Sequence, residues 1–128
     1  MIFCGVDDLI FSIKISTAAK ALGVDIYFER SPDQVVPRIR DKMPSLVILD
    51  LNSSKMRPLE VIAQLKSDTT LREIHTLGYV SHVHTDLIDA ARRAGIDEVL
   101  ARSAFSEQLG EILTAPRTTR AARPEQSE

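Results

Sequence analysis

The chain of 128 residues has the length and composition of one soluble globular domain. Hydrophobic residues make up 44% of it and charged residues 27%, which excludes a fibrous or low-complexity chain. The formal net charge of −2 excludes the broad basic field that drives nucleic-acid binding. The single cysteine, Cys4, has no disulfide partner in the chain, and neither a secretion signal nor a membrane span is indicated. A cytoplasmic protein without a membrane partner is therefore expected.

Strand and helix patterns alternate five times in residues 1–115. Apolar or alternating runs of strand length predict strands at residues 2–6, 24–28, 46–51, 76–80 and 98–101. Apolar residues at helical spacing predict helices at residues 9–22, 32–43, 58–66, 85–94 and 104–114. Residues 116–128 carry almost nothing apolar, so a disordered C-terminal tail is predicted there.

Local signals refine the ends of these helices. Gly23 and Gly95 stand where a helix C-terminus favours a residue at positive φ. Ser103 is the expected N-cap of the last helix. Pro37 lies inside the second helix, where it removes a backbone donor, so a bend or a shortened helix is expected there.

The central stretch is Pro44–Asn52, a short apolar run interrupted by one carboxylate, Asp50. Such a run predicts a strand of a parallel sheet that is buried on both faces. Five strand–helix units with right-handed crossovers predict an α/β, flavodoxin-like (βα)5 fold: a five-stranded parallel sheet of order 2-1-3-4-5 with helices on both faces. In that order Asp7, Asp8 and Asp50 converge at one carboxyl edge. Asp50 is then a site residue, or it merely caps the strand.

Converging carboxylates repel one another unless a proton or a cation joins them. Hard oxygen ligands on loops suit Mg²⁺, which keeps several waters and leaves room for phosphate oxygens. An exposed aspartate beside bound Mg²⁺ is a plausible nucleophile in phosphoryl transfer. The alternative is a solvated acidic edge that binds no metal.

Two segments resemble the receiver domains of bacterial response regulators. Residues 50–60, DLNSSKMRPLE, keep six positions of that family's "DLNMPGMDGLE" segment, and residues 94–100, AGIDEVL, resemble its "AGADDYL". The resemblance covers nearly all of residues 1–114 and implies the receiver fold. It also implies that Asp50 is the phosphoacceptor and that the backbone carbonyl of Asn52 is a metal ligand. An ungapped alignment from Gly23 places Asp7 at the second acid of the family's metal-binding pair and Val6 at the first, whereas a shift of one residue makes the pair Asp7 and Asp8.

Other positions depart from the family pattern. The family's phosphoryl-binding Lys aligns with Arg102, which keeps the charge but is planar and bulkier. Its switch Thr or Ser aligns with Val80, or with Ser81 after a slip of one residue. Its aromatic switch residue aligns with Val99, and the Pro after its Lys is Ser103. The phosphoacceptor aspartate is kept and the switch residues are not, which resembles the divergent pseudo-receivers of the family.

The sequence therefore predicts a stand-alone signalling module, not an enzyme, that acts through protein–protein contact and is atypical or phosphorylation-independent. The alternative is a conventional receiver that a histidine kinase phosphorylates on Asp50 with Mg²⁺. The expected partner is that kinase or a downstream signalling protein, and a homodimer is possible; no nucleic acid is expected. The family usually docks or dimerises through the surface formed here by residues 85–94, 98–101 and 104–114. A small flavodoxin-like enzyme or cofactor-binding protein is a remote alternative, because no Gly-rich phosphate loop follows the first strand.

Overall fold

The computed structural model describes residues 1–81 and 84–115. The tail predicted at 116–128 lies outside the described residues. The strands are β1 (Ile2–Gly5), β2 (Ile26–Phe28), β3 (Leu46–Asp50), β4 (His75–Val80) and β5 (Glu98–Ala101). The helices are α1 (Leu9–Leu22), α2 (Pro32–Lys42), α3 (Pro58–Ser67), α4 (Thr85–Ala94), α5 (Arg102–Glu107) and α6 (Leu109–Thr114).

All five strands form one parallel sheet of order β2-β1-β3-β4-β5. Strand β3 lies in the middle, where Leu49 pairs with Gly5 of β1 and Asp50 pairs with Tyr79 of β4. This is the predicted flavodoxin-like sheet, and the predicted order is confirmed. Because β1 and β3 are neighbours, the loops after them meet at one edge.

Two apolar clusters cover the two faces of the sheet. Side chains alternate along a strand, so Val47 and Leu49 of β3 pack into one cluster and Leu46 and Ile48 into the other. The first cluster contains residues of α2, α3 and α4, and the second contains residues of α1, α5 and α6. Asp50 follows Ile48 by two positions, so its side chain belongs to the face that α1 and α5 cover.

The helix C-termini that glycine marks are as predicted. Gly23 ends α1 at φ 69° and Gly95 ends α4 at φ 107°. Both angles lie in the left-handed region that glycine tolerates without steric cost. The helices of residues 9–22 and 85–94 consequently have the predicted bounds.

Two expectations about helices are wrong. The segment predicted as one helix at 104–114 forms α5 and α6, which are separated at Gln108 (φ −98°, ψ 10°) just before the poor helix former Gly110. Helix α5 also begins earlier than predicted, at Arg102, so Ser103 lies inside its first turn and Ala101 is the N-cap.

The second is the shortening expected at Pro37; the alternative expectation, a bend, stays a prediction. Helix α2 is continuous from Pro32 to Lys42 despite this proline. The bond that Pro37 cannot make would reach the carbonyl of Asp33, in the first turn, where the exposed backbone is open to water. The loss of one donor there does not end the helix.

None of the helices within residues 1–81 and 84–115 combines the length and apolar character that crossing a membrane requires.

Candidate functional site

Asp50 is the last residue of β3 and is only 4% exposed. Its Oδ1 accepts a hydrogen bond of 2.9 Å from the backbone N–H of Asn52. The carboxylate thus stays at the carboxyl edge of the central strand, as predicted, but it also turns the chain into the next loop. The hydrogen bond to Asn52 shows the capping role of Asp50, and its role as a site residue stays a prediction.

The two acids after β1 are each bonded to another group. Ser53 Oγ donates a hydrogen bond of 2.9 Å to Asp7 Oδ1 and accepts one of 3.3 Å from the N–H of Met56. Asp8 is the N-cap of α1, and its Oδ1 accepts the N–H of Phe11 at 3.1 Å. The structure therefore brings Asp7 and Asp8 to the edge where Asp50 lies, with one carboxylate oxygen of each already engaged.

Burial raises the pKa of Asp50 above its ordinary value, and this is the largest effect on that group. The negative charges of Asp8 and Asp7 raise the pKa further. The hydrogen bond from Asn52 and the positive charge of Arg102 oppose them and lower it. Since the pKa is raised on balance, the site disfavours a negative charge on Asp50.

The loop after β3 is tied to the end of β4 through Asn52. Its Oδ1 accepts the backbone N–H of Ser81 at 2.8 Å. Val80, the preceding residue, is fully buried in the core and has no hydroxyl. A hydrogen bond from a backbone N–H to a side-chain amide oxygen therefore joins the loop after β3 to the loop after β4.

Arg102 lies on a stack of three aromatic rings. The rings of Phe11, Tyr79 and Phe105 all contact one another: the Tyr79 centroid is 4.8 Å from that of Phe11 and 4.7 Å from that of Phe105, and the two phenylalanine centroids are 6.1 Å apart. The Arg102 guanidinium carbon is 5.2 Å from the Phe11 centroid and 6.0 Å from that of Tyr79. Cation–π attraction and packing thus hold the cation beside Asp50.

Comparison with solved structures gives one consistent result. The phosphorylated cyanobacterial phytochrome response regulator RcpA is 25% identical, with a TM-score of 0.73 over 88% of this chain and 86% of its own. The Mn²⁺-bound form of response regulator Rcp1 is 18% identical, with a TM-score of 0.76 over 92% of this chain and 96% of its own. A response regulator from Hahella chejuensis is 14% identical, with a TM-score of 0.78 over 88% of this chain and 91% of its own.

The chain has the fold of a response-regulator receiver domain. The resemblance drawn from residues 50–60 and 94–100 is thereby confirmed. No protein-family model matches the chain, and no curated protein matches it significantly. The chain thus shares the backbone of these structures at a sequence identity of 25% or less.

The receiver positions that depart from the family pattern are now located. Val80 is fully buried, and Val99 on β5 is half-buried against the core cluster that also contains Val80. Ser81 is half-buried beside them at the end of β4. The described contacts of Val80 and Val99 are with the core. Because a valine side chain has neither a hydroxyl nor an aromatic ring, neither residue can supply one to Asp50.

The ligands predicted for Mg²⁺ were Asp7, Asp8, Asp50 and the carbonyl of Asn52. Oxygen donors fit a hard divalent cation by type, and a cation would oppose the mutual repulsion that raises the pKa of Asp50. Their arrangement does not fit as it stands: within residues 1–81 and 84–115 no three His, Cys, Asp or Glu side chains are grouped to hold a metal. Asp7 Oδ1 already accepts the hydroxyl of Ser53, which leaves its second carboxylate oxygen for an ion.

Three residues of the candidate site were not assigned to it from the sequence. Ser53 holds Asp7 across 46 positions, and Lys14 on α1 reaches Ser106 on α5 across 92. Tyr79, within the strand predicted at residues 76–80, lies among the aromatic rings beside Arg102. The pairing of Tyr79 with Asp50 follows from strand register, so the sheet order supplied a signal for Tyr79. No sequence signal indicated the hydrogen-bond partners of Ser53 and Lys14.

Tyr79→Phe is expected to raise the free energy of unfolding by about 1 kcal/mol. Tyr79 is fully buried, and its hydroxyl has no hydrogen-bond partner among the described residues. Removing that oxygen ends a desolvation cost and keeps the ring stack. Urea unfolding measures the change, with Tyr27→Phe as the matched control because the Tyr27 hydroxyl donates to Glu29 at 3.1 Å. A loss of stability in Tyr79→Phe would contradict an unpaired hydroxyl.

Proposed function

We propose that this receiver-fold domain is a signalling module that acts through protein–protein contact and does not need phosphorylation of Asp50. The observation that carries the proposal is the burial of Asp50, which is only 4% exposed in a site whose polar groups bond to one another. An acceptor must be reached by its donor, and its product carries more negative charge. A buried carboxylate with a raised pKa, next to two other acids, opposes both requirements.

The lack of the family's switch side chains at Val80 and Val99 supports the same proposal. A phosphoryl group acts as a switch when nearby donors bond it and then move. Val80 supplies no hydroxyl and Val99 no aromatic ring, while the backbone N–H of Ser81 is taken up by Asn52. The two loops are therefore held together before any phosphorylation, as expected of a constitutive binding platform.

A conventional phosphoacceptor is the second candidate, and specific observations favour it too. Asp50 ends the central strand, and Arg102 acts on it as a positive charge. RcpA is described as phosphorylated and Rcp1 as Mn²⁺-bound. In this version a histidine kinase is the partner, and the divalent cation, Mg²⁺, would be held by Asp50, the acids after β1 and the Asn52 carbonyl. The positive charge of the cation would offset the negative charge of the phosphoryl oxygens.

Two surfaces are candidates for binding the partner. The surface predicted at residues 85–94, 98–101 and 104–114 has no large apolar side chain among those most exposed in the described chain. Helix α1 has four: Leu9 is 66%, Ile10 72%, Ile13 57% and Leu22 46% exposed. The only charged residues of α1 are lysines, so an α1–α1 homodimer would bring like charges together. This helix is suited to a protein partner with an apolar, acidic surface.

Incubation with acetyl phosphate and Mg²⁺ tests the proposal. Intact mass of the purified chain is expected to show no phosphoryl adduct, beside Asp50→Asn as control and a known receiver domain as proof that the reagent is active. An adduct on the wild-type chain that is absent from Asp50→Asn would overturn the proposal. That result would establish a conventional receiver, with Arg102 and Ser81 as its phosphoryl contacts.

A further inference from the structure

An open depression of about 340 Å³ lies between the loop after β3 and the helices α3 and α4. Its apolar lining comes from Leu51, Pro58, Leu59 and Leu87. Leu51 and Pro58 are buried, and Leu59 and Leu87 are half-buried against the core cluster on that face of the sheet. A volume of this order and an apolar lining with few polar groups are both typical of sites for small molecules.

The apolar lining is fixed by the backbone around it. Leu51 packs on Gly78 of β4, where an added Cβ would lie 2.8 Å from Leu51 Cγ, so the glycine lets the leucine lie close to the sheet. Pro58 has a fixed φ. The residue before it, Arg57, is held at φ 49° with its Nη2 2.6 Å from Asp33 Oδ1. A preformed lining loses little conformational freedom when a ligand binds.

Two positions on the rim differ from the receiver segment that the chain resembles. Ser53 and Ser54 line the depression where that segment, DLNMPGMDGLE, has Met and Pro. Because serine is smaller than either, less side-chain volume is present at this rim. The depression is thus connected with two of this chain's own departures from the family pattern.

The charges at the rim are balanced. Arg57 and Glu60 are the charged residues of the described lining. They lie three positions apart at the start of α3, and both are exposed, so neither an anion nor a cation gains a net attraction from the pair. The other polar groups of the rim, on Asn52, Ser53 and Ser54, are neutral. The lining therefore favours a neutral molecule with an apolar body.

We propose that this depression binds a small neutral molecule with an apolar body of about one aromatic ring and a single polar substituent. The apolar body contacts Leu51, Leu59 and Leu87. The polar substituent reaches the rim at Asn52 or Ser54, whose side chains offer neutral hydrogen-bonding groups.

Such a ligand touches the loop that carries the candidate site. Asn52 and Ser53 line the depression, and the same two residues bond to the Ser81 N–H and to Asp7. A ligand in the depression therefore contacts residues that hold the loops of the site together. The inference goes beyond the proposed function and does not rest on it, because neither phosphorylation of Asp50 nor its absence enters the argument. The two tests can consequently fail independently.

Amide and methyl NMR spectra of the full chain test the proposal with three probes that share one ring and differ in charge: benzyl alcohol, benzoate and benzylammonium, each at constant ionic strength. Benzyl alcohol is expected to give saturable shifts at Leu51, Leu59 and Leu87, with a dissociation constant on the order of 1 mM for so few non-hydrogen atoms. Benzoate and benzylammonium are expected to bind about threefold more weakly or worse, because each loses hydration without a net counter-charge.

Leu87→Ala is expected to weaken benzyl alcohol binding about tenfold by removing one apolar wall. Leu100→Ala is the matched control, because Leu100 is also half-buried but packs on the other face of the sheet, outside the depression. It is expected to change the dissociation constant less than about twofold. Ser54→Trp is a second test that leaves the core intact, since Ser54 is exposed; its large ring is expected to fill part of the depression and weaken binding about threefold.

Tighter binding of benzoate or benzylammonium than of benzyl alcohol would overturn the proposal. So would shifts that do not saturate, or equal weakening in Leu87→Ala and Leu100→Ala, since both would show unspecific contact with apolar side chains. Shifts confined to the exposed Leu9 and Ile10 would place the probe on α1 and overturn it as well. Thermal melting confirms that each variant is folded, and Ser54→Trp decides the outcome if Leu87→Ala is not.

Discussion

Asp97→Ala is expected to lower the free energy of unfolding by about 3–5 kcal/mol, the usual cost of breaking a buried ion pair. Asp97 Oδ2 accepts three hydrogen bonds: from Lys66 Nζ at 2.9 Å, from the Thr76 N–H at 2.8 Å and from Thr76 Oγ1 at 2.9 Å. Its side chain is only 4% exposed, and that of Lys66 is 13% exposed. Removing the carboxylate leaves the lysine charge poorly solvated. It also breaks the hydrogen bonds that link Thr76 of β4 to Asp97, the residue before β5.

Urea unfolding measures this loss, with Asp33→Ala as the matched control. Asp33 also lies in an ion pair, 2.6 Å from Arg57, but its side chain is 81% exposed. Water replaces an exposed partner at little cost, so the control is expected to lose less than about 1 kcal/mol. Equal losses in the two variants would show that burial does not determine the strength of the Asp97 interaction.

The fold was predictable because its signals are local and repeated. Apolar spacing of 3.6 residues located α1, and Gly23 fixed its end; the same combination with Gly95 located α4. A short apolar run ending in Asp50 located the central strand. Once five strand–helix units are recognised, crossover handedness leaves few sheet orders, and the order places Asp7, Asp8 and Asp50 at one edge.

The chemistry of the site was less predictable, because it depends on bonds between residues far apart in the chain. Periodicity carries no information on whether a serine 46 positions away bonds to Asp7. Nor does a motif show that Asp8 is the N-cap of α1, which engages one of its two carboxylate oxygens. The break at Gln108 was missed for a similar reason, since the apolar spacing continues across it. Side-chain partners therefore had to come from the structure.

Asp50→Asn is expected to raise the free energy of unfolding by about 2 kcal/mol at neutral pH, about 5–8 °C in melting temperature. The folded chain buries an ionised carboxylate beside Asp8 and Asp7, and these effects raise its pKa. Asparagine keeps an oxygen for the N–H of Asn52 and carries no charge. The variant therefore removes both the desolvation cost and the repulsion from Asp8 and Asp7.

The pH dependence of this gain is its specific signature. A pKa raised by folding means that protonated Asp50 favours the folded state, so its contribution is fully present below the ordinary value of 3.8 and is lost as pH rises through the raised folded value. The advantage of Asp50→Asn should therefore be small at pH 3.5 and grow as the pH rises through the raised folded value. Asp25→Asn, at an exposed aspartate, is the control and should show no such growth. A gain for Asp50→Asn that is independent of pH would mean that asparagine stabilises the loop by packing, and the charge on Asp50 would then not be what the fold resists.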